Sequence, residues 1–427
     1  MVFLCSRPEN MKVKMMRNKY VPTSISLYMN YLVVGMAILI LPQNMDTLAK
    51  QWNTSIAGVS VVISAVGIGR LIVMLASGVL SDKLGRKPFA VVGGATYILF
   101  FLGILVSHSL IIAIIFGVLA GIANSFLDSG TYPALMEMYP SHKGAANVVI
   151  KAFVSGGQFI LPLFISMIVA NKLWFGWSFL LCAAILVLNV VFLLTISKFP
   201  AASQGSAKKE AVKPVKLQES KGNAWIDGTL FTIFAFVAQG IFLLFSTWIT
   251  KYGESIVKMG DVSSRALVSY YSVGSITCVL LTIYLSHRGI QDIHFLFIYM
   301  MLSFASLLLM YLIPVAWVCS ILSFVVGFSA AGGVMQIGLT MMATFFPNGK
   351  GTVTGIFQTS ASIAGFVVPL LGGALSGNIA NVLLLDVGLA LIGFVVASIV
   401  MYRYHKLFGR SKKQPKQQLK VVSENVN

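Results

Sequence analysis

The stretch SKFPAASQGSAKKEAVKPVKLQESKGN, residues 197–223, carries six basic and two acidic residues and almost nothing apolar enough to bury. That composition makes a linker. On either side of it the sequence changes character. Over all 427 residues 57% are hydrophobic and 10% charged, against about 25% charged in a soluble globular chain, and the mean hydropathy is +0.87. Such a chain is solvated by lipid. Taking about 20 residues per membrane-spanning helix, apolar runs of spanning length lie at 20–41, 56–79, 89–106, 110–136, 145–170 and 174–195 before the linker. Six more, at 224–250, 266–286, 295–312, 315–344, 353–377 and 381–402, follow it.

The net charge of +18 raises the prospect of nucleic acid, but the basic residues gather in short stretches between apolar runs, the footprint of a membrane surface. The expected partner is therefore lipid, with no nucleic acid, and the chain is expected to act as a monomer. With an even number of spans both termini share a side. If that side is the cytoplasm, inner segments hold 24 Lys and Arg and outer loops 5, which the positive-inside rule favours. The first apolar run follows a basic head and has no cleavage site after it, so it is read as a retained helix. Chain organisation follows: a basic tail 1–19, a six-helix bundle 20–196, the linker 197–223, a six-helix bundle 224–402 and a basic tail 403–427. All six tryptophans, Trp52, Trp174, Trp177, Trp225, Trp248 and Trp317, fall at the ends of these runs, where the headgroup layer suits an indole. Cys5, Cys182, Cys278 and Cys319 share no close spacing, so neither a zinc site nor a disulfide framework is indicated.

The two halves look duplicated at an offset of 207. Tyr139-Pro140 with Lys143-Gly144 recurs as Phe346-Pro347 with Lys350-Gly351, Pro162-Leu163 as Pro369-Leu370, and Val66-Gly67 as Val273-Gly274. The predicted architecture is an all-α membrane protein of twelve transmembrane helices in two pseudo-symmetric six-helix bundles, both termini cytoplasmic.

Charge at mid-bilayer costs at least ~2.5–3.5 kcal/mol, so Arg70, Asp128 and Lys151 must face protein or a wet cavity. They either fix helix packing as a buried ion-pair cluster or handle solute and protons. Asn124 and Tyr132 share a face with Asp128 at spacing four, and Asn147, Lys151, Ser155 and Gln158 form one stripe. The offset places Thr277, Met335 and Gln358 against Arg70, Asp128 and Lys151, so charge is confined to the first half. Gln239, Gln336 and Gln358, with Tyr270, Tyr271, Thr340 and Thr359, can line the second half with hydrogen-bonding groups, for a ligand or for one another. The three charges sum to +1, or +2 with Asp128 protonated, which suits an anionic solute. Asp128 is the candidate proton site; Arg70, Asn124, Lys151, Ser155, Gln158, Gln239, Gln336 and Gln358 are the candidate solute contacts. The third, sixth, ninth and twelfth runs read as lipid-facing supports, with Asp386 solvated or locally paired near the outer end of the last.

After the second run stands Gly78-Val79-Leu80-Ser81-Asp82-Lys83-Leu84-Gly85-Arg86-Lys87, which resembles the G-x-L-x-D-[RK]-x-G-R-[RK] signature of the major facilitator superfamily. Positive-inside anchoring accounts for the cations but not for Gly78, Asp82 and Gly85. The resemblance implies a conformational latch built from Gly78, Asp82, Gly85, Arg86 and Lys87. Tyr132-Pro133 with Glu137 resembles the matching turn of sugar porters, which implies that Glu137 pairs with Arg86. The copy around Tyr284-Leu285-Ser286-His287-Arg288 is degenerate. Leu127-Asp128-Ser129-Gly130-Thr131-Tyr132-Pro133 resembles fucose-permease-like members, in which an acidic residue at this position is tied to proton coupling. NSFLDSGTYPALME and GFSAAGGVMQIG are similar to segments of enterobacterial inner-membrane transporters of the YdiM/YdiN type. That likeness implies a hydroxylated carboxylate of the shikimate or quinate kind as solute, and a multi-pass protein of the bacterial inner membrane.

The superfamily resemblance implies rocker-switch alternating access, with no cofactor and a proton gradient as energy source. The expected function is proton-coupled symport. Two alternatives stay open: an efflux antiporter for drugs or metabolites, and a neutral sugar symporter. The glycine-proline motif of drug exporters is absent from the fifth run, although GFVVPLLGG, 365–373, appears on the eleventh, so import is favoured. Catalysis is not expected, because His108, His142, His287, His294 and His405 are scattered over loops and helix ends. No phosphate-binding loop of a primary pump is present.

Overall fold

The computed structural model describes residues 19–139, 143–200, 222–287, 291–346 and 350–408. Most of the basic head, the bulk of the linker and the basic C-terminal tail, together with Pro140, Arg288 and Pro347, lie outside them. The helices are α1 (Val21–Gln43), α2 (Ile56–Leu84), α3 (Arg86–Val106), α4 (Leu110–Met138), α5 (Lys143–Ala170) and α6 (Trp177–Thr195), then α7 (Ile226–Ser255), α8 (Asp261–His287), α9 (Asp292–Leu312), α10 (Ala316–Phe345), α11 (Lys350–Ala374) and α12 (Ile379–Phe408). A short helix, Met45–Gln51, follows α1. Among the described residues eleven helices are long and apolar enough to cross a membrane. The chain is an all-α multi-span membrane protein. The expected span at 266–286 falls outside those eleven; it is α8, a serine-rich helix whose Ser264, Ser269, Ser272 and Ser275 are turned inward and buried.

Helices α2 and α3 pack on α4, α1 on α5 and α6, and α3 on α6; beyond the linker α7 packs on α11 and α12, α8 on α10, and α9 on α12. Glycines allow the closest approaches, as in other membrane helix pairs. A methyl added at Gly121 of α4 would overlap the Val66 carbonyl oxygen of α2, and one added at Gly327 of α10 would overlap that of Tyr271 on α8.

Two seams join the chain across its midpoint: α2 with α11, and α5 with α8. On the first, a methyl at Gly67 stands 2.5 Å from the Gly365 carbonyl carbon. On the second, the Ser155 and Ser275 hydroxyls lie 3.0 Å apart, and Ser269 donates to the Phe159 carbonyl at 3.2 Å. Further contacts lie on the face where α1 ends, here called the distal face, opposite the terminal face where α1 begins. Gln43 Nε2 donates to Thr250 Oγ1 at 2.9 Å. Arg265 Nη1 donates to the Gln43 carbonyl at 2.6 Å, and Lys251 is paired with Asp46 and Glu254. Gln43 and Thr250 are 207 residues apart, so two positions related by the internal offset touch each other.

The structure corrects several expectations. Only Trp174, Trp177, Trp225 and Trp317 are exposed; Trp52 and Trp248 are buried. Trp52 donates to Ser107 Oγ at 2.8 Å, and Trp248 lies within α7 because that helix continues to Ser255. The run 315–344 is not one regular helix: a π-helical turn, Gly327–Ala331, precedes Gly333, whose φ is +135°. Such a conformation favours glycine. The third, sixth, ninth and twelfth runs are more than supports. Asn189 of α6 donates to Asn30 Oδ1 of α1 at 2.6 Å, Tyr97 of α3 is buried, and Tyr299 of α9 lies 2.6 Å from Thr282 Oγ1. Asp386 of α12 is neither solvated nor paired. It is wholly buried, with both carboxyl oxygens free of hydrogen-bond partners among the described residues.

Candidate transport site

Helix α2 starts where Ser55 Oγ accepts from Gly58 N and ends at Gly85, whose φ of +91° allows α3 to begin at the next residue. Arg70 sits on α2 at the level of Asp128 on α4, and Ser125 Oγ, one turn away, donates to the Arg70 carbonyl at 3.0 Å. Arg70 Nη2 donates to Asp128 Oδ2 at 3.0 Å, and Tyr31 Oη of α1 donates to Oδ1 at 2.6 Å. Both carboxyl oxygens are therefore engaged, by one charged and one neutral donor. Tyr132 meets the Tyr31 ring edge-on at 5.7 Å. Arg70 and Asp128 keep 28% and 23% of their side-chain surface accessible, so the pair is not sealed off, while Arg70 Nε is buried without a partner among the described residues.

Tyr31 is the residue that sequence reasoning missed. Its signal was present, because Asn30-Tyr31 interrupts the first apolar run, but without a third dimension nothing aligned it with Asp128, 97 positions away.

Lys151 does not join the pair. Its Nζ stands 4.7 Å from the centroid of the Phe242 ring on α7, an arrangement that compensates a desolvated ammonium by up to about 2 kcal/mol. Ser155, on the same stripe, is spent on the α5–α8 seam. Gln158 is wholly buried with neither amide atom bonded among the described residues. Asn124 is half-buried one turn before Asp128. Of the second-half glutamines, Gln239 and Gln358 are half-buried and Gln336 is exposed.

On the terminal face Arg86 lies between two carboxylates. Its Nη1 is 2.6 Å from Asp82 Oδ1, and its Nε and Nη2 each donate to Glu137 Oε1 at 3.1 Å. Lys87 Nζ donates to the Leu194 carbonyl at 3.1 Å, tying α3 to the end of α6. Open space surrounds Gly78: a methyl there meets nothing within 4 Å.

A multi-span helical bundle with glycine-packed seams, a distal closure and an ion pair at mid-depth defines a membrane carrier, and sequence relationships specify which. The Major Facilitator Superfamily pattern matches at residues 23–369 and again at 265–425. The inner membrane transport protein YdiM of Escherichia coli (strain K12) is 44% identical over 392 residues, covering 92% of this chain and 96% of that protein. The inner membrane transport protein YdiN of the same organism is 35% identical, covering 90% of each. In three dimensions the chain is similar to the crystal structure of a D-xylose–proton symporter, with a TM-score of 0.73 at 13% identity, covering 89% of this chain and 97% of that one. The chain belongs to the major facilitator superfamily. It is a multi-pass secondary transporter of the inner-membrane type, working by alternating access, and not an enzyme.

Proposed function

We propose that the protein is a proton-coupled symporter of a small neutral hydroxylated solute, with Asp128 as the residue that takes up the proton. The observation that carries this reading is the Tyr31–Asp128–Arg70 cluster. Arg70 is neutralised by Asp128 at 3.0 Å, so while the pair is intact the net positive charge that suited an anion resides on Lys151 alone, over the Phe242 ring and apart from the pair. What faces a solute around the pair is then uncharged: Asn124 beside it, with Gln239, Gln336 and Gln358 from the second half. Protonation of Asp128 removes the anionic partner of Arg70 and frees the guanidinium to reorient, which makes solute binding and proton binding interdependent.

Lys151 favours a second reading, in which the solute is a hydroxylated carboxylate. It is a half-buried cation with a ring, not a carboxylate, beside it, and a solute carboxylate at that point gains a charge-assisted hydrogen bond. The names of the relatives specify no solute.

In this reading twelve spans form two six-helix bundles, 20–196 and 224–402, joined by the linker, with the terminal face in the cytoplasm. Asp82, Arg86, Lys87 and Glu137, with the turn at Gly85 and the open ridge at Gly78, form a cytoplasmic latch. The distal closure of Asp46 with Lys251 and of Gln43 with Thr250 and Arg265 is the outer gate. A single experiment separates the solutes. Proteoliposomes with an imposed inward proton gradient are offered labelled pentoses and hexitols beside labelled hydroxylated carboxylates. Accumulation of the neutral set supports the first reading; accumulation of carboxylates alone replaces it with the second. Gradient-driven expulsion of lipophilic cations contradicts both.

A further inference from the structure

Asp386 is the one buried carboxylate among the described residues that forms neither an ion pair nor a hydrogen bond. Asp227, 1% exposed near the other end of the bundle, shows how this chain treats a structural carboxylate: Arg403 grips both of its oxygens. Asp386 has no such partner, and an unpaired carboxylate in an apolar interior costs several kcal/mol. The surroundings are mostly aliphatic and aromatic, with Leu244, Ile379 and Leu383 among them, and only Trp248 and Tyr252 bring polar atoms. Asp386 opens on a small cavity walled by Phe245, Trp248, Ile249 and Tyr252 of α7 and by Val382 of its own helix. Trp248 Nε1 on that wall is buried without a partner, and so is Tyr271 Oη of α8, whose ring stacks on Phe245 at 5.1 Å. Asp386 and Trp248 thus share the wall of a space that suits about one water molecule, and Tyr271, a third unpartnered group, lies against Phe245 of that wall.

The remaining titratable groups are engaged or distant. Tyr252 donates to the Met310 carbonyl at 2.9 Å. The distal half of α9 carries only Tyr311, and Lys251 is held by Asp46 and Glu254. A metal ion does not fit: the indole N–H repels a cation, and the described residues contain no cluster of three metal-type ligands. The chemistry left is that of a proton on a carboxyl group, relayed by water.

We propose that Asp386, with Tyr271 and Trp248, is a second proton-binding site, in the distal part of the second half. A proton delivered by water forms an O–H bond on the Asp386 carboxylate; the same bond breaks when the proton returns to water, and nothing is oxidised or reduced. Access follows the distal closure, because Trp248 and Ile249 on the cavity wall immediately precede Thr250 and Lys251, which hold that closure. Opening there moves the wall and admits water. The role in coupling rests on the proton-coupled reading above; the presence of the proton does not.

The test is infrared difference spectroscopy of the full-length protein in lipid at neutral pH, reading the C=O stretch of protonated carboxyl groups. The wild type shows a band that Asp386→Asn removes and Asp128→Asn retains, and Trp248→Phe or Tyr271→Phe shifts its frequency. If Asp386→Asn does not fold, the two aromatic variants carry the test alone. A spectrum unchanged by Asp386→Asn, or by both aromatic variants, overturns the proposal. Gradient-driven uptake in the same proteoliposomes separates the two levels. The band without any gradient-driven uptake overturns proton coupling and leaves the site, whereas uptake without the band overturns the site and leaves coupling.

Discussion

At Asp128 two donors of different kinds hold one carboxylate, and the difference between them sets what each substitution does. Asp128→Asn keeps the shape and removes the titration. We expect it to abolish uptake against a concentration gradient while solute exchange between two equal pools persists; uphill uptake at the wild-type level removes Asp128 from coupling. Lys151 stands apart from that cluster, so Lys151→Gln tests solute chemistry alone. For a hydroxylated carboxylate the KM should rise about tenfold, equivalent to ~1.4 kcal/mol, with little change for a neutral sugar; equal changes for both indicate that Lys151 serves packing against Phe242. The identity of these residues was legible in sequence because an ionisable group within an apolar run is rare and expensive. Their pairing was not. Arg70 and Lys151 each offered Asp128 a cation, and only the register of α2 against α4 selects Arg70. Asp386 was misread for a related reason: closeness to a helix end suggests water, but α7 and α8 cover it with Trp248 and Tyr271.

Helix α2 shows how one element carries several constraints along its length. Gly67 at mid-depth is a contact glycine and Gly85 at the end a conformational one, whereas Gly78 between them is neither. Gly85→Ala forces a side chain into φ +91°, ψ 165°, a region essentially reserved for glycine, at a cost of ~1–3 kcal/mol. It should lower the melting temperature and displace Arg86 from Glu137. Gly78→Ala should leave thermal stability unchanged, since a methyl there has open space; a comparable loss for both contradicts this account of the turn. Gly67→Val drives a side chain into the Gly365 backbone and should separate α2 from α11, cutting the uptake rate severalfold. The helices themselves were readable from apolar runs, and their ends differ from expectation mostly where a helix continues past its apolar run, as α7 does to Ser255. The interruption of α10 was written in Gly332-Gly333, but an apolar run of spanning length masks a break whose backbone is satisfied by a π-helical turn.

On the scale of the whole molecule, the internal offset of 207 is the feature that ties sequence to mechanism. It was found as weak repeats in three pairs of helices, and it returns as a contact, Gln43 with Thr250, on the distal face where the two segments close. A carrier closed there must open there to complete its cycle. Removing the closure with Arg265→Ala together with Lys251→Ala should therefore shift the population toward the outward-open state, raising labelling of a cysteine placed at Thr250 by a membrane-impermeant thiol reagent severalfold; unchanged labelling means that the closure is not a gate. The direction of transport was legible only as a lean toward import, from the glycine-proline motif missing on the fifth run, because the same helices serve import and export, and only the solute and the sign of its coupling to protons distinguish them.

The most direct measurement is solute accumulation in proteoliposomes under an imposed inward proton gradient, comparing wild type with Asp128→Asn and collapsing the gradient with an ionophore midway. The account predicts accumulation by the wild type that decays when the gradient collapses, and none by Asp128→Asn. Equal accumulation by the two proteins, or accumulation indifferent to the ionophore, contradicts it.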